Sequence, residues 1–185
     1  MTYKCGMAEK LHVVAVVSNP IRYASRYRLY NDFVSRIVDN PVINLYIVEL
    51  AFGQRSNEII SKNNPNHLLL TSSSEMWHKE NLINIGIRDL LPIDWKYAAW
   101  IDGDIEFLKE DWAEETIHQL QHNQLVQLFS DAIDLGPDGQ TIGIHKSFCH
   151  QYINGATRPK TKNDPYAFWH PGYAWAIRRA AWENV

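Results

Sequence analysis

Short runs of β-branched and other apolar residues alternate along this chain with longer stretches whose apolar residues recur at helical spacing. Few folds accept that order. The run His12-Val-Val-Ala-Val-Val17 has the composition of a buried strand, and Ser18-Asn-Pro20 stops it. Tyr27, Tyr30, Phe33, Val34, Ile37 and Val38 then share a helical face, and Asn40-Pro41 ends that helix. The same reasoning predicts strands over 42–50, 67–70, 97–101, 125–129 and 173–177. It predicts helices over 75–91 and 112–122, a short one at 56–61, and a last one opening at Arg178. Ser72-Ser-Ser74 and Asp111 are the candidate N-caps of the two middle helices. Leu135-Gly-Pro-Asp-Gly139 reads as a turn, and 140–164 as a long polar loop flanked by aromatics, the kind that often serves function. Strand–helix alternation of this sort predicts an α/β fold: a mixed, mainly parallel sheet flanked by helices. Ligands of such sheets bind beyond the carboxyl ends of the strands. Ser18-Asn19, Glu49 and Asp102-Gly-Asp104 all fall at that edge.

Composition removes several function classes. A length of 185 residues suits one domain, 1–185, with a core of its own. A net charge of -3 supplies no global basic field, so a nucleic-acid partner is not expected. No apolar run approaches the roughly 20 residues of a membrane span. The stretch 1–10 is polar and carries no signal-peptide core, so a cytoplasmic location is expected. Cys5 and Cys149 are far apart and lack CxxC spacing, which argues against structural zinc and a disulfide framework. Seven Trp and nine Tyr exceed what length alone suggests; most suit a core, and some suit stacking on a ring-shaped ligand.

The most informative segment is Trp100-Ile-Asp-Gly-Asp-Ile-Glu-Phe107. A strand end places Asp102 and Asp104 on the same side, two residues apart. Two carboxylates so placed repel unless a cation lies between them. A hard divalent ion that keeps positions open for phosphate oxygens fits, and such an ion neutralises a leaving diphosphate. A calcium loop starting at Asp102 would need Gly and Glu where Phe107 and Ala113 stand. A glycosidase pair would flank its bond from opposite sides. An exposed acidic turn is the bland alternative, and the buried strand leading into the pair weighs against it.

Four blocks in order resemble glycosyltransferases of the GT-A (Rossmann-like) fold. Leu45-Tyr-Ile-Val-Glu-Leu-Ala51 resembles the second-strand segment of β-1,4-galactosyltransferase-like enzymes. Trp77-His-Lys-Glu-Asn-Leu-Ile-Asn-Ile-Gly86 resembles the helix before their acidic motif. The stretch 97–107 resembles the strand and Asp-x-Asp motif, and His170-Pro-Gly-Tyr-Ala-Trp-Ala176 with Arg178 resembles the strand and helix after the donor site. The resemblance implies a nucleotide-sugar donor of UDP or GDP type, UDP being favoured, with Mn²⁺ or Mg²⁺. It implies that Asp104 contacts the metal directly and that Asp102 meets the ribose, or the metal through water, with Gly103 between them. Val17, Ser18 and Asn19 would border the base and ribose, Glu49 the base, and Lys79 the diphosphate. His170 is a further candidate for metal or donor contact, with a hydrogen-bonded structural role as its alternative.

Arg22, Arg26 and Arg28 fit solvated or paired charges better than phosphate ligands, and Asn84 and Gly86 fit helix packing. In the family, an acceptor-binding segment carrying the acidic base follows the last helix. The resemblance therefore implies that the base lies beyond Val185 and that the chain is the N-terminal part of a longer protein. No spacing supports Asp131, Asp134 or Asp164 as that base. The leading reading is glycosyl transfer to an acceptor hydroxyl on a glycan, protein or small molecule. The runner-up is a nucleotidyltransferase, which would want a Gly-rich basic loop where Ser18-Asn-Pro-Ile-Arg22 has no Gly. A donor-binding module without turnover is the third.

Overall fold

The computed structural model describes residues 9–156 and 169–184. Strand β1 (Leu11–Ser18) leads through helix α1 (Ala24–Ile37) to β2 (Ile43–Phe52), which returns parallel to β1. Strand β3 (His67–Ser72) adds in parallel to the far side of β2. Helix α2 (Lys79–Leu90) then carries the chain back, and β4 (Tyr97–Ile101) pairs in parallel with the other edge of β1. After α3 (Trp112–His122) comes β5 (Leu125–Gln127). A separate hairpin sheet pairs β6 (Asp131–Leu135) with β7 (Thr141–Lys146), followed by the short α4 (Phe148–Ile153). Strand β8 (Ala174–Arg178) inserts antiparallel between β4 and β5, and α5 (Arg179–Trp182) follows it. The main sheet runs β3-β2-β1-β4-β8-β5: mixed, mainly parallel and flanked by helices, as the strand–helix alternation predicts.

Burial on both faces explains why β1 reads as an unbroken apolar run rather than an alternating one. Leu11, Val13, Ala15 and Val17 pack with Tyr30, Phe33 and Ile37 of α1 and with Ala113, Ile117 and Leu120 of α3. Val14 points the other way and packs with Leu82, Ile83 and Ile87 of α2. Each such Val, Leu or Ile contributes about 1.5–3 kcal/mol by leaving water. The polar exception in β1 is His12. Its Nδ1 lies 3.0 Å from the Tyr46 hydroxyl, and burial lowers its pKa, which keeps the ring neutral. Helix α2 seats closely on the sheet at the buried Gly86, where a Cβ would stand 2.7 Å from Val14 Cγ1 and 3.0 Å from Val48 Cγ2. Gly86 thus serves packing as expected, whereas Asn84 is exposed.

Several boundaries differ from the sequence reading, each for a local reason. The 75–91 helix starts at Lys79, because Ser72 and Ser74 close a turn on each other instead of capping it. Asp111 stands at the N-cap of α3 without a side-chain cap bond. No helix forms at 56–61: the N–H groups of Glu58, Ile59 and Ile60 turn to the Glu49 carboxylate instead. The expected loop 140–164 carries β7 and α4 in its first half, because β7 finds a partner in β6. Cys5, Asp164, Tyr166 and Phe168 lie outside the described residues. Among the described residues no helix is long and apolar enough to cross a membrane.

Tyr30 carries the one buried side-chain polar atom without a hydrogen-bond partner among the described residues, its hydroxyl. Burial, and then the Glu49 charge, push its pKa far above the usual tyrosine range. Tyr30→Phe keeps the ring and removes that oxygen. It should leave stability unchanged or raise it by up to about 1–3 kcal/mol, since an unpaired buried hydroxyl costs that much. Denaturant unfolding checks this, and a clear loss of stability would mean that the hydroxyl has a partner.

Candidate functional site

The strand order turns back between β1 and β4. The connections leaving these two strands run in opposite directions across the sheet, so their carboxyl ends open a crevice between them. Ser18 and Asn19 stand on one side of it, and Asp102, Gly103 and Asp104 on the other. Of the sequence-expected edge residues, Ser18, Asn19 and Asp102 to Asp104 are therefore brought together there, whereas Glu49 lies on β2.

Asp102 is fixed twice. Its N–H donates to the Tyr173 carbonyl at 2.9 Å, and its carboxylate pairs with the Lys79 ammonium. Lys79 is the first residue of α2, so the positive end of that helix faces the same point. Gly103 sits against the ring of Tyr30. A Cβ there would stand 3.2 Å from Tyr30 Cγ and closer still to the ring edge. Only glycine lets the acidic turn close onto α1, which explains the residue between the two aspartates.

Asp104 is solvent-exposed at the open edge, yet dense protein surrounds it. That crowding first, and the Asp102 charge second, raise its carboxyl pKa, while Lys79 and Arg26 pull it down. Arg26 also donates from Nη1 to the Ser18 carbonyl at 3.0 Å, tying α1 to the end of β1. Of the three arginines near the start of α1, Arg26 is the one shown facing the crevice, whereas Arg22 pairs with Glu58.

Other expected site residues also carry structural contacts of their own. Val17 is buried in the core. The Asn19 amide donates to the Tyr23 carbonyl at 3.0 Å while its Oδ1 accepts the Tyr23 N–H at 3.1 Å, which sets the turn from β1 into α1. The buried Glu49 carboxylate accepts three backbone N–H groups, from Glu58 at 2.6 Å, Ile59 at 3.0 Å and Ile60 at 2.9 Å. Both of its oxygens are thus taken by the chain itself. His170 accepts the Gly172 N–H at Nδ1, 3.1 Å away, and stacks flat on Tyr173 with centroids 4.0 Å apart. Burial first, then His145, lower its pKa. Among the described residues no group of three or more His, Cys, Asp and Glu side chains is placed to hold a metal ion. Asp102 and Asp104 remain a two-carboxylate set. All-oxygen donors at an open edge suit a hard divalent cation whose other positions go to phosphate and water.

Three side chains gain a place that the sequence reading did not give them. Tyr173 adopts φ 70°, a conformation rare for a residue other than glycine. Its hydroxyl donates to Asp134 Oδ1 at 3.1 Å, and Asp134 Oδ2 lies 2.9 Å from His145 Nε2. Burial, and then the Asp134 bond and the nearby aspartates, push the Tyr173 hydroxyl up to about 12. Pro171-Gly172 was the only sequence signal of a special turn here.

No family model and no curated protein matches the sequence. Among solved structures the chain is similar to the 4-diphosphocytidyl-2C-methyl-D-erythritol synthase of Anaerococcus prevotii DSM 20548, with 12% identity, a TM-score of 0.44, and 93% of this chain and 72% of that one covered. It is also similar to a protein of Desulfovibrio desulfuricans G20 described as a nucleotide-diphospho-sugar transferase, with 12% identity, a TM-score of 0.42, and 94% and 65% covered.

The Asp104 carboxyl yields a pH prediction for the metal-free protein. A raised folded pKa means that the folded state holds this proton more tightly than the unfolded chain. The stability it contributes is present below the unfolded value of 3.8 and is lost as pH rises through the raised folded value. With a chelator present, Asp104→Asn should therefore raise the melting temperature at neutral pH. That gain should shrink as pH falls toward the ordinary carboxyl range. Thermal melts of both proteins across that range check it, and a gain independent of pH would contradict it.

Proposed function

We propose that this chain binds a nucleotide-diphosphate sugar, UDP-linked rather than GDP-linked, and transfers its glycosyl group to an acceptor hydroxyl. The pattern is that of GT-A-fold glycosyltransferases with a β-1,4-galactosyltransferase-like order of motifs. The observation that carries this reading is the acidic pair itself. Asp102 and Asp104 follow a buried strand, stand at the crevice between β1 and β4, and face Lys79 at the start of α2. Carboxylates and an ammonium at one helix N-terminus suit a diphosphate bridged by a cation and poorly suit an apolar or cationic ligand.

The nucleoside lies against the end of β1, where Val17, Ser18 and Asn19 form the floor and Arg26 the side. Glu49 shapes this region by holding 58–60 in place. Lys79 exchanges part of its contact with Asp102 for a phosphate oxygen and stabilises the charge that grows on the departing diphosphate. Asp102 and Asp104 would hold Mn²⁺ or Mg²⁺, which when bound would supply Lewis-acid charge to the departing diphosphate. Gly103 keeps both carboxylates on the crevice side by letting the turn press against Tyr30. The acceptor hydroxyl needs an acidic base to take its proton.

UDP should bind at least about tenfold more tightly with Mn²⁺ than with chelator, and Asp104→Ala should abolish that difference. Calorimetry on the two proteins decides it: equal metal dependence would overturn the assignment. Product analysis separates the chemistries, because glycosyl transfer or slow donor hydrolysis releases UDP, whereas nucleotidyl transfer releases or consumes pyrophosphate.

A further inference from the structure

We infer that the inner face of the β6–β7 hairpin, carried by Asp134 and His145, selects the polyhydroxyl ring that the donor bears beyond its diphosphate. The inference rests on the nucleotide-sugar reading above and gives the sugar end of that ligand its own recognition element.

The sheet order sets the direction. A ligand with its nucleoside at β1 and its diphosphate at β4 extends next over β8. Strand β8 runs antiparallel to β4, so its beginning, not its end, lies at the crevice edge, and Ala174 sits opposite Ile101. Tyr173 therefore stands directly beyond Asp102, held by the 2.9 Å bond from the Asp102 N–H to the Tyr173 carbonyl. Strand β5 runs parallel to β4 and also ends at this edge, where it passes into the hairpin. Asp134 and His145 are latched to the same point through the Tyr173 hydroxyl.

The hairpin is patterned inside out. Ile133 and Ile144 face each other on the outer side, and both are exposed, as are Leu135 and Ile142. The inner, half-buried positions belong instead to Ala132, Asp134, Gly143 and His145. A hairpin that packs on a core places its apolar residues inward. A carboxylate and an imidazole on the sheltered face, opposite the side-chain-free Gly143, describe a wall prepared for a polar ligand.

The chemistry of that wall suits sugar hydroxyls. Each Asp134 oxygen already meets one partner, Tyr173 or His145, and the side chain is still 46% exposed, so each retains lone-pair capacity for a hydroxyl. His145 keeps its second ring nitrogen for another. The stacked rings of His170 and Tyr173 add a flat apolar surface, with Phe129 packed edge-on at 5.4 Å. A site that hydrogen-bonds particular hydroxyls rejects epimers that cannot meet them, because its polar groups are then left unpaired.

The experiment measures binding of UDP, UDP-glucose, UDP-galactose and UDP-N-acetylglucosamine in Mn²⁺ to wild type, Asp134→Asn and His145→Ala. Wild type should spread the three UDP-sugars over at least about tenfold in affinity, and each variant should compress the spread to within about threefold. UDP alone should keep its affinity within about threefold in both variants, which also shows that the crevice is intact. The inference is overturned if wild type does not discriminate, if the variants keep the full spread, or if both variants lose UDP and UDP-sugars in parallel. Failure of wild type to bind UDP with metal is a different result: it brings down the nucleotide reading, and this inference with it.

Discussion

Parallel hydrogen bonding along both edges of β1, with β2 on one side and β4 on the other, is the constraint from which the architecture follows. Parallel neighbours cannot be joined by a tight turn, so each pairing requires a long crossover. The crossover through α1 covers one face and the one through α2 covers the other, which buries most of β1 and makes its sequence apolar at nearly every position. Because the chain moves away from β1 in one direction and returns to the opposite edge, the two loops at the carboxyl end diverge. The crevice is thus a by-product of the pairing order, and the acidic turn stands in it because β4 ends there.

The charges at this edge are only partly balanced. Asp104 is held with its proton affinity raised by crowding and by Asp102, and only part of that repulsion is offset by Lys79 and Arg26. Gly103 gives up the backbone economy of an ordinary residue so that the turn lies against Tyr30, and Tyr173 accepts a rarely used backbone conformation beside it. Strain and like charge are thus concentrated at one sheet edge, around the acidic turn.

The parts of the fold that depend on burial were legible in the chain. Strand β4 and helix α3 have the bounds read from their spacing, because apolar period and flanking turn residues point the same way. The parts that depend on a distant partner were not. Ser56 to Ser61 has helix-compatible residues, yet a carboxylate from β2 captures its N–H groups. Strand β7 looks like polar loop until β6 is laid beside it. At the candidate site, the acidic pair and the end of β1 were readable from their position after strands, whereas Lys79 came only from the resemblance, because the sequence reading began its helix at 75. Asp134 and His145 were not, since eleven residues and a turn separate them and only the hairpin register brings them to one face. Glu49 is the converse case: its place at the strand edge was readable, but not that its carboxylate accepts the N–H groups of 58–60.

Gly86 has a consequence well outside its own surroundings. It sets how deeply α2 sits on Val14 and Val48, and Lys79 is on the same rigid rod, seven residues away or about 10 Å along the axis. A helix lifted at its middle does not bend to keep its first turn in place; it tilts or rises as a unit. The contact between Lys79 and Asp102 is therefore gauged by a missing methyl group two turns downstream. Sequence variation at that buried glycine would retune the crevice electrostatics without altering any residue that a ligand touches.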